Sequence, residues 1–170
     1  MNRVGEFYKV SLQQYLKDVK DDGPWTDEVL TCEYNGIEVP KRATSGSAGY
    51  DFKCPMTVVL EPGESIKIPT GIRVKIEDGW CLMIMPRSSM GFKHGMRLAN
   101  TVALIDADYY DSDNEGHIFI KVVNDSDFDK ELVIEEGQAF AQGVFVPFGI
   151  TMTDDMNAAR NGGIGSTDKG

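Results

Sequence analysis

Histidine is nearly missing from this chain of 170 residues. Only His94 and His117 occur, together with three cysteines, Cys32, Cys54 and Cys81. The cysteines lack the paired spacing of a zinc site, and two histidines do not complete a tetrahedral ligand set. An odd cysteine count also argues against a disulfide framework, so buried free thiols are expected. No apolar run approaches the ~20 residues that a bilayer-spanning helix needs. No basic segment followed by an apolar one opens the chain, so no secretory leader is expected and the cytosol is the expected location. Positive charge is scarce: 17 Lys and Arg stand against 27 Asp and Glu, a net charge of -10. That balance argues against nucleic acid and anionic membrane as partners. It does not exclude a phosphorylated substrate, because a few arginines and backbone N–H groups can hold an anion inside an acidic protein.

Apolar residues make up 41% of the chain, enough for a core, at a length that suits one domain better than two. Residues 1–36 read differently from the rest. Ser11-Leu-Gln-Gln14 has the pattern of a capping box, with Val10 and Tyr15 spaced for a hydrophobic staple. Leu12, Tyr15, Leu16 and Val19 then share one helical face. This predicts a short helix of about three turns, ended by Asp21, Asp22, Gly23 and Pro24. From Ile37 onward the pattern is that of strands. Ile72, Val74 and Ile76 alternate with Arg73 and Lys75, and Ile118, Ile120 and Val122 with Phe119 and Lys121. Ser65–Ile68, Trp80–Met85, Leu132–Ile134 and Ala139–Val146 are strand-like too. Turn signals at Glu61-Pro-Gly-Glu64, Asp78-Gly79, Asn124-Asp125 and Glu136-Gly137 separate them. Many short, closely spaced strands predict an all-β sandwich, jelly roll or barrel.

Five segments carry candidate chemistry. They are Ala48-Gly-Tyr-Asp-Phe52, Pro86-Arg-Ser-Ser-Met-Gly91, Asn100-Thr-Val-Ala-Leu-Ile-Asp-Ala-Asp-Tyr109, Gly137-Gln-Ala-Phe-Ala-Gln142 and the tail Arg160–Gly170. Each alone reads in two ways. Asp106 is a turn aspartate or a general base that holds a water. Tyr109 is a sheet aromatic or the wall of a pocket. Asn100 is a hairpin-turn residue, between strands Met96–Ala99 and Val102–Ile105, or an amide that reads a polar edge with donor and acceptor together. Phe92, Lys93, His94 and Gly95 would form the loop before that hairpin, and His94 is assigned no role. Arg87, Ser88 and Ser89 form a polar turn or an anion site. Gln142 bonds the backbone or a ligand, since an amide at the end of an apolar strand is costly to bury alone. The tail has four glycines and one apolar side chain. It is either a disordered terminus or a lid whose glycine N–H groups approach phosphate while Arg160 offers a charged fork.

Taken together, in this order and spacing, the five segments resemble the five motifs of the homotrimeric dUTPase family, over roughly residues 37 to 170. The resemblance implies an all-β fold, a distorted jelly roll or β-clip barrel, here with a short N-terminal helix. It implies a β domain over 37–158 and a glycine-rich lid over 159–170, and it leaves residues 1–36, with their short helix, outside as an N-terminal extension. The implied reaction is Mg²⁺-dependent hydrolysis of dUTP to dUMP and pyrophosphate, in a homotrimer whose sites are built from several chains. Asp106 would be the base that activates the attacking water. Tyr109 would lie flat on the deoxyribose and exclude a 2′-hydroxyl, and Asn100 would read the uracil edge. Arg87, Ser88, Ser89 and Gln142 would hold phosphates, with Asp51 in a supporting role. From the tail, Arg160, Gly165 and Ser166 would contact phosphate and Ile164 would cover the base. No direct protein ligand to Mg²⁺ is expected, since that ion keeps waters and binds mainly through substrate phosphates. A dCTP deaminase shares the fold family and an Arg-Ser-Ser motif; the Ile105-Asp106-x-x-Tyr109 pattern and the tail favour the dUTPase reading.

The chain departs from the family pattern in places. Ser89 stands where many members have glycine. Ile164 stands where an aromatic is usual, which implies weaker cover of the base. Arg160 is one residue closer to that position than in many members, and Asp168 stands for a typical glycine. After Tyr109 comes a longer acidic loop, Tyr110-Asp-Ser-Asp-Asn-Glu-Gly116. Asp111, Asp113, Glu115 and Gly116 partly mimic an EF-hand, but Val122 replaces its last ligand and no helices flank it. A solvated acidic turn is the expectation, with a weak Mg²⁺ contact as the lesser alternative. That loop and the N-terminal helix also motivate a third reading, a nucleotide-dependent regulatory protein that binds a protein partner.

Overall fold

Alternation decides which side chains of this chain enter its core, and the computed structural model, which describes residues 2–20, 25–126 and 130–155, bears the strand pattern out. The elements run β1 (Gly5–Lys9), α1 (Leu12–Lys20), α2 (Asp27–Gly36), β2 (Lys41–Arg42), β3 (Tyr50–Lys53), β4 (Val58–Leu60), β5 (Ser65–Pro69) and β6 (Ile72–Ile76). They continue with β7 (Trp80–Pro86), α3 (Ser88–His94), β8 (Met96–Leu98), β9 (Ala103–Ile105), a 3-10 turn (Ala107–Asp111), β10 (Phe119–Asn124), β11 (Leu132–Ile134) and β12 (Ala139–Pro147). The largest sheet has the order β2-β3-β12-β7-β9, and a second has β5-β10-β8. β4 pairs with β11 and β1 with β6. Every one of these ladders is antiparallel.

The inward faces of these strands meet in one main core. Ile72, Val74 and Ile76 of β6 are buried while Lys75 is exposed, and Ile118, Ile120 and Val122 are buried while Lys121 is exposed. Phe52, Leu82, Ile84 and Phe140 complete its centre. The turns close where glycine takes a positive φ, at Gly63, Gly79 and Gly137. No helix among the described residues is long and apolar enough to cross a membrane.

The N-terminal residues join this body. β1 runs antiparallel along β6, and Phe7 packs on Tyr50, Phe52 and Phe145. Val10, Tyr15, Val19 and Leu30 form a second small core between α1 and α2. At about 1.5–3 kcal/mol per fully buried aliphatic side chain, burial of Val10, Val19 and Leu30 favours docking of the helix pair. The staple of Val10 and Tyr15 is present, and Ser11 Oγ accepts the Gln14 N–H at 3.1 Å. The other half of the capping box is not. Gln14 donates instead to Asp18, and the Ser11 N–H goes to Glu115 at 2.8 Å.

Four expectations are corrected. Cys54 and Cys81 are buried, and burial pushes the Cys54 thiol up to about 12, but Cys32 is exposed. Phe92, Lys93 and His94 belong to α3, which ends in a left-handed Gly95, rather than to a loop. β8 and β9 do not form a hairpin ladder. β8 pairs with β10 and β9 with β7, so the turn at Asn100 carries the chain from one sheet to the other. Finally, the acidic loop is only partly solvated. Asp111 and Asp113 are exposed, but Ser112 is buried and Glu115 accepts both the N–H and the hydroxyl of Ser11. Gly116 lets the loop close, because a Cβ there would meet Tyr109 O at 2.7 Å.

Candidate active site

Two clefts gather the residues singled out by their chemistry. The first, about 570 Å³, is lined by Gly49, Asp51, Arg87, Ser88, Ser89 and Gln142 among others. The five-stranded sheet assembles it. On β12, Gln142 stands between Asp51 of β3 and Met85 of β7, and Arg87 follows the end of β7. The Arg87 N–H is held by Phe140 O at 3.0 Å, and its guanidinium forms an ion pair with Asp51. Gln142 Nε2 donates to Pro86 O at 3.3 Å, so the backbone-bonded reading of this amide describes its donor side. Gly49 permits the close approach of that side chain, since a Cβ would lie 2.6 Å from Gln142 Oε1. Ser88 and Ser89 are exposed in the first turn of α3, where backbone N–H groups have no partner inside the helix. A planar cation, two hydroxyls and such amides suit the oxygens of a phosphate chain.

The second cleft, about 240 Å³, is lined by Asn100, Ala103, Leu104, Ile105, Asp106, Tyr109, Ile118 and Phe119. It lies where β9 ends and the 3-10 turn begins. Thr101 beside Asn100 has φ 64°, a left-handed backbone uncommon for a residue other than glycine. Asp106 stands at the N-cap of the 3-10 turn, yet its carboxylate caps none of the turn's amides. It lies near β7, where burial and then the Asp106 charge raise the Cys81 thiol. Tyr109 is buried, and its hydroxyl donates to His117 O at 2.7 Å. It belongs to the 3-10 turn rather than to a strand. An amide, a carboxylate and an aromatic ring around an apolar floor suit a heterocyclic base and its sugar.

The two clefts share no lining residue. Arg160, Ile164, Gly165 and Ser166 lie outside the described residues. Sequence reasoning missed Phe119 as a wall of the second cleft and Ala43 and Ser47 as edges of the first. The small-residue run before Ala48 was the available signal for the latter. It also missed His117 and Asn114, which stand behind Tyr109.

Among the described residues no three His, Cys, Asp or Glu side chains converge as a metal site, and Asp51 is tied to Arg87. Such a donor set offers a hard cation no cage of its own. It is compatible with Mg²⁺ that arrives on phosphate oxygens with most of its water.

A sequence profile of the dUTPase family matches residues 35–168. The chain belongs to the dUTPase family. Among its relatives is the deoxyuridine 5'-triphosphate nucleotidohydrolase of Lactococcus lactis subsp. lactis, 45% identical over 144 residues that span 82% of this chain and 95% of that protein. The enzyme of the same name from Tolumonas auensis is 40% identical over 141 residues, covering 78% and 89%. Among solved structures, the dUTPase of Streptococcus mutans superposes with a TM-score of 0.60 at 38% identity, covering 66% of this chain and 88% of that one. A dUTPase from phage phi11 of S. aureus, described for its coordination of a structural Mg(II) ion, gives 0.59 at 26% identity over 72% and 91%. The jelly-roll-like β fold expected from the dUTPase resemblance is therefore the fold of this chain. The dUTPase profile begins at residue 35, so it leaves β1, α1 and most of α2 outside.

Proposed function

We propose that the chain cleaves dUTP to dUMP and pyrophosphate at a site formed jointly by the two clefts of neighbouring chains in a homotrimer. Asp106 accepts a proton from a water, whose oxygen attacks the α-phosphorus. The bond from that phosphorus to the oxygen bridging the β-phosphate breaks, and pyrophosphate leaves with the electron pair. Arg87 and the Ser88 hydroxyl, with the Ser89 N–H and the Gln142 amide, hold the phosphates and the charge that grows on the leaving group. Asp51 orients Arg87 through their ion pair. Asn100 reads the uracil edge and Tyr109 packs on the deoxyribose. When bound on the triphosphate, Mg²⁺ neutralises charge on the phosphate oxygens.

The observation that supports the joint site is that no residue lines both clefts. Phosphate-type residues line one and base-type residues with Asp106 line the other. Residues 159–170 are the proposed lid, with Arg160, Gly165 and Ser166 on phosphate and Ile164 over the base. The dUTPase profile runs through most of this segment, to residue 168, which supports that reading. The cytosol is the proposed location. A dCTP deaminase is not favoured, since the related enzymes are named for dUTP hydrolysis. A regulatory protein partner is the weaker reading, because the acidic loop and α1 that motivate it bind each other.

Subunit complementation tests the joint site. Chains carrying Asp106→Asn and chains carrying Arg87→Ala are each nearly inactive alone. In equal mixture, reassembled together, about one quarter of sites in a ring of three join an intact Asp106 to an intact Arg87, and activity returns to that extent. No recovery in mixed trimers would place the whole site on one chain and reject this assembly.

A further inference from the structure

Behind Tyr109 lies a set of contacts that the hydrolytic step does not use. The Tyr109 hydroxyl donates to His117 O at 2.7 Å and accepts from Asn114 Nδ2 at 2.9 Å. His117 is fully buried. Its Nε2 accepts the Gly71 N–H at 2.8 Å, in the turn between β5 and β6. A neutral ring that accepts at Nε2 carries its proton on Nδ1, and Nδ1 donates to Asp18 Oδ2 of α1 at 2.6 Å. The His117 ring also lies 4.4 Å from the ring of Phe119, which walls the same cleft as Tyr109. One residue thus ties α1, the β5–β6 turn and two walls of the cleft together.

Two further attachments join the N-terminal residues to the same loop. Glu115 accepts the Ser11 N–H at 2.8 Å and the Ser11 hydroxyl at 2.7 Å. Arg73 stacks 3.6 Å over the Tyr110 ring and donates to Tyr110 O at 2.5 Å, while Tyr8 of β1 packs on the edge of that ring. Asp18 is itself held by Gln14 Nε2 at 2.9 Å. Burial alone would raise its carboxyl, but the hydrogen bonds from His117 and Gln14, together with the electrostatic pull of His117 and Lys17, keep it below the ordinary range.

We propose that α1, acting through Asp18 and His117, positions Tyr109 and Phe119 and so sets how strictly the cleft excludes a ribose 2′-hydroxyl. This rests on the dUTP reading given above. Exclusion by steric contact is only as strict as the wall is stiff. A wall free to retreat by part of an ångström admits one extra hydroxyl, and displacements on this scale change rates strongly. Asp18 and His117 are positioning residues here, since they act on the substrate only through Tyr109 and Phe119. If they served the fold alone, their loss would weaken turnover of dUTP and UTP alike.

The test is the ratio of kcat/KM for dUTP to that for UTP, measured with Mg²⁺ on the full chain and on three variants. Asp18→Ala lowers the ratio about tenfold. Asp18→Asn keeps it close to the parent value, because its carboxamide oxygen still accepts from His117 Nδ1. Glu115→Ala, which alters a half-exposed side chain, shifts the ratio in the same direction as Asp18→Ala. An unchanged ratio in folded Asp18→Ala overturns the proposal, and if that variant does not fold, an unchanged ratio in Glu115→Ala does so. A parent protein that leaves dUTP intact overturns the substrate reading itself, and this is seen before any variant is made.

Discussion

Replacing Asp106 by Asn lowers kcat on dUTP by about 10²- to 10⁴-fold while leaving KM near its parent value. Asn matches the carboxylate in size and can still hold a water by hydrogen bonds. It cannot take up the proton that the water must lose, so the loss falls on the transition state. The carboxylate stands at the head of the 3-10 turn in the cleft shared with Asn100 and Tyr109, without capping that turn. That position places the carboxylate beside the amide and the ring proposed to hold the base and its sugar. Steady-state measurement of pyrophosphate release checks this. A variant that keeps kcat close to the parent would remove Asp106 from the role of base.

Arg87→Ala lowers kcat/KM by about 10²- to 10³-fold, with a rise in KM as well as a fall in kcat. Two effects combine. The phosphate chain loses a planar, charge-assisted donor, and Asp51 keeps a partly buried carboxylate that has lost its partner. Arg87→Lys recovers only part, because an ammonium restores the charge and not the fork. If Asp51 acts through Arg87, the two substitutions are not additive: Asp51→Asn costs activity in the parent and little in Arg87→Ala. Additive losses in the double variant would mean that Asp51 acts on its own.

The strands were legible because a period of two is a local property. Ile72, Val74 and Ile76 announce a buried face wherever their partner strand lies. The chemistry was legible because Asp106, Tyr109, Asn100 and Arg87 sit in segments whose order and spacing match a known set of motifs. What stayed hidden depends on distant partners. The acceptor for the Ser11 N–H is Glu115, 104 residues away, and a local capping box supplied a plausible substitute in Gln14. The acidic loop read as solvated for the same reason, since its anchors Ser11, Asp18 and Arg73 lie in other elements. α2 buries only Leu30, so it has little apolar periodicity, although Thr26 followed by Asp27 and Glu28 was a start signal that could have been read. β8 and β9 looked like a hairpin because short loops usually join paired strands. Here the turn at Asn100 leads between sheets, which puts Asn100 at the rim of the cleft that holds Asp106.

The most direct measurement is product identity. The purified protein is incubated with Mg²⁺ and, in separate reactions, dUTP, dCTP, dTTP and UTP, and all products are resolved by chromatography. Asp106 beside an amide and an aromatic wall, with Arg87 and its neighbours on the phosphates, requires that dUTP yield dUMP and pyrophosphate far faster than any of the other three nucleotides is cleaved. Conversion of dCTP to dUTP, or a folded protein that leaves all four nucleotides intact, would contradict it.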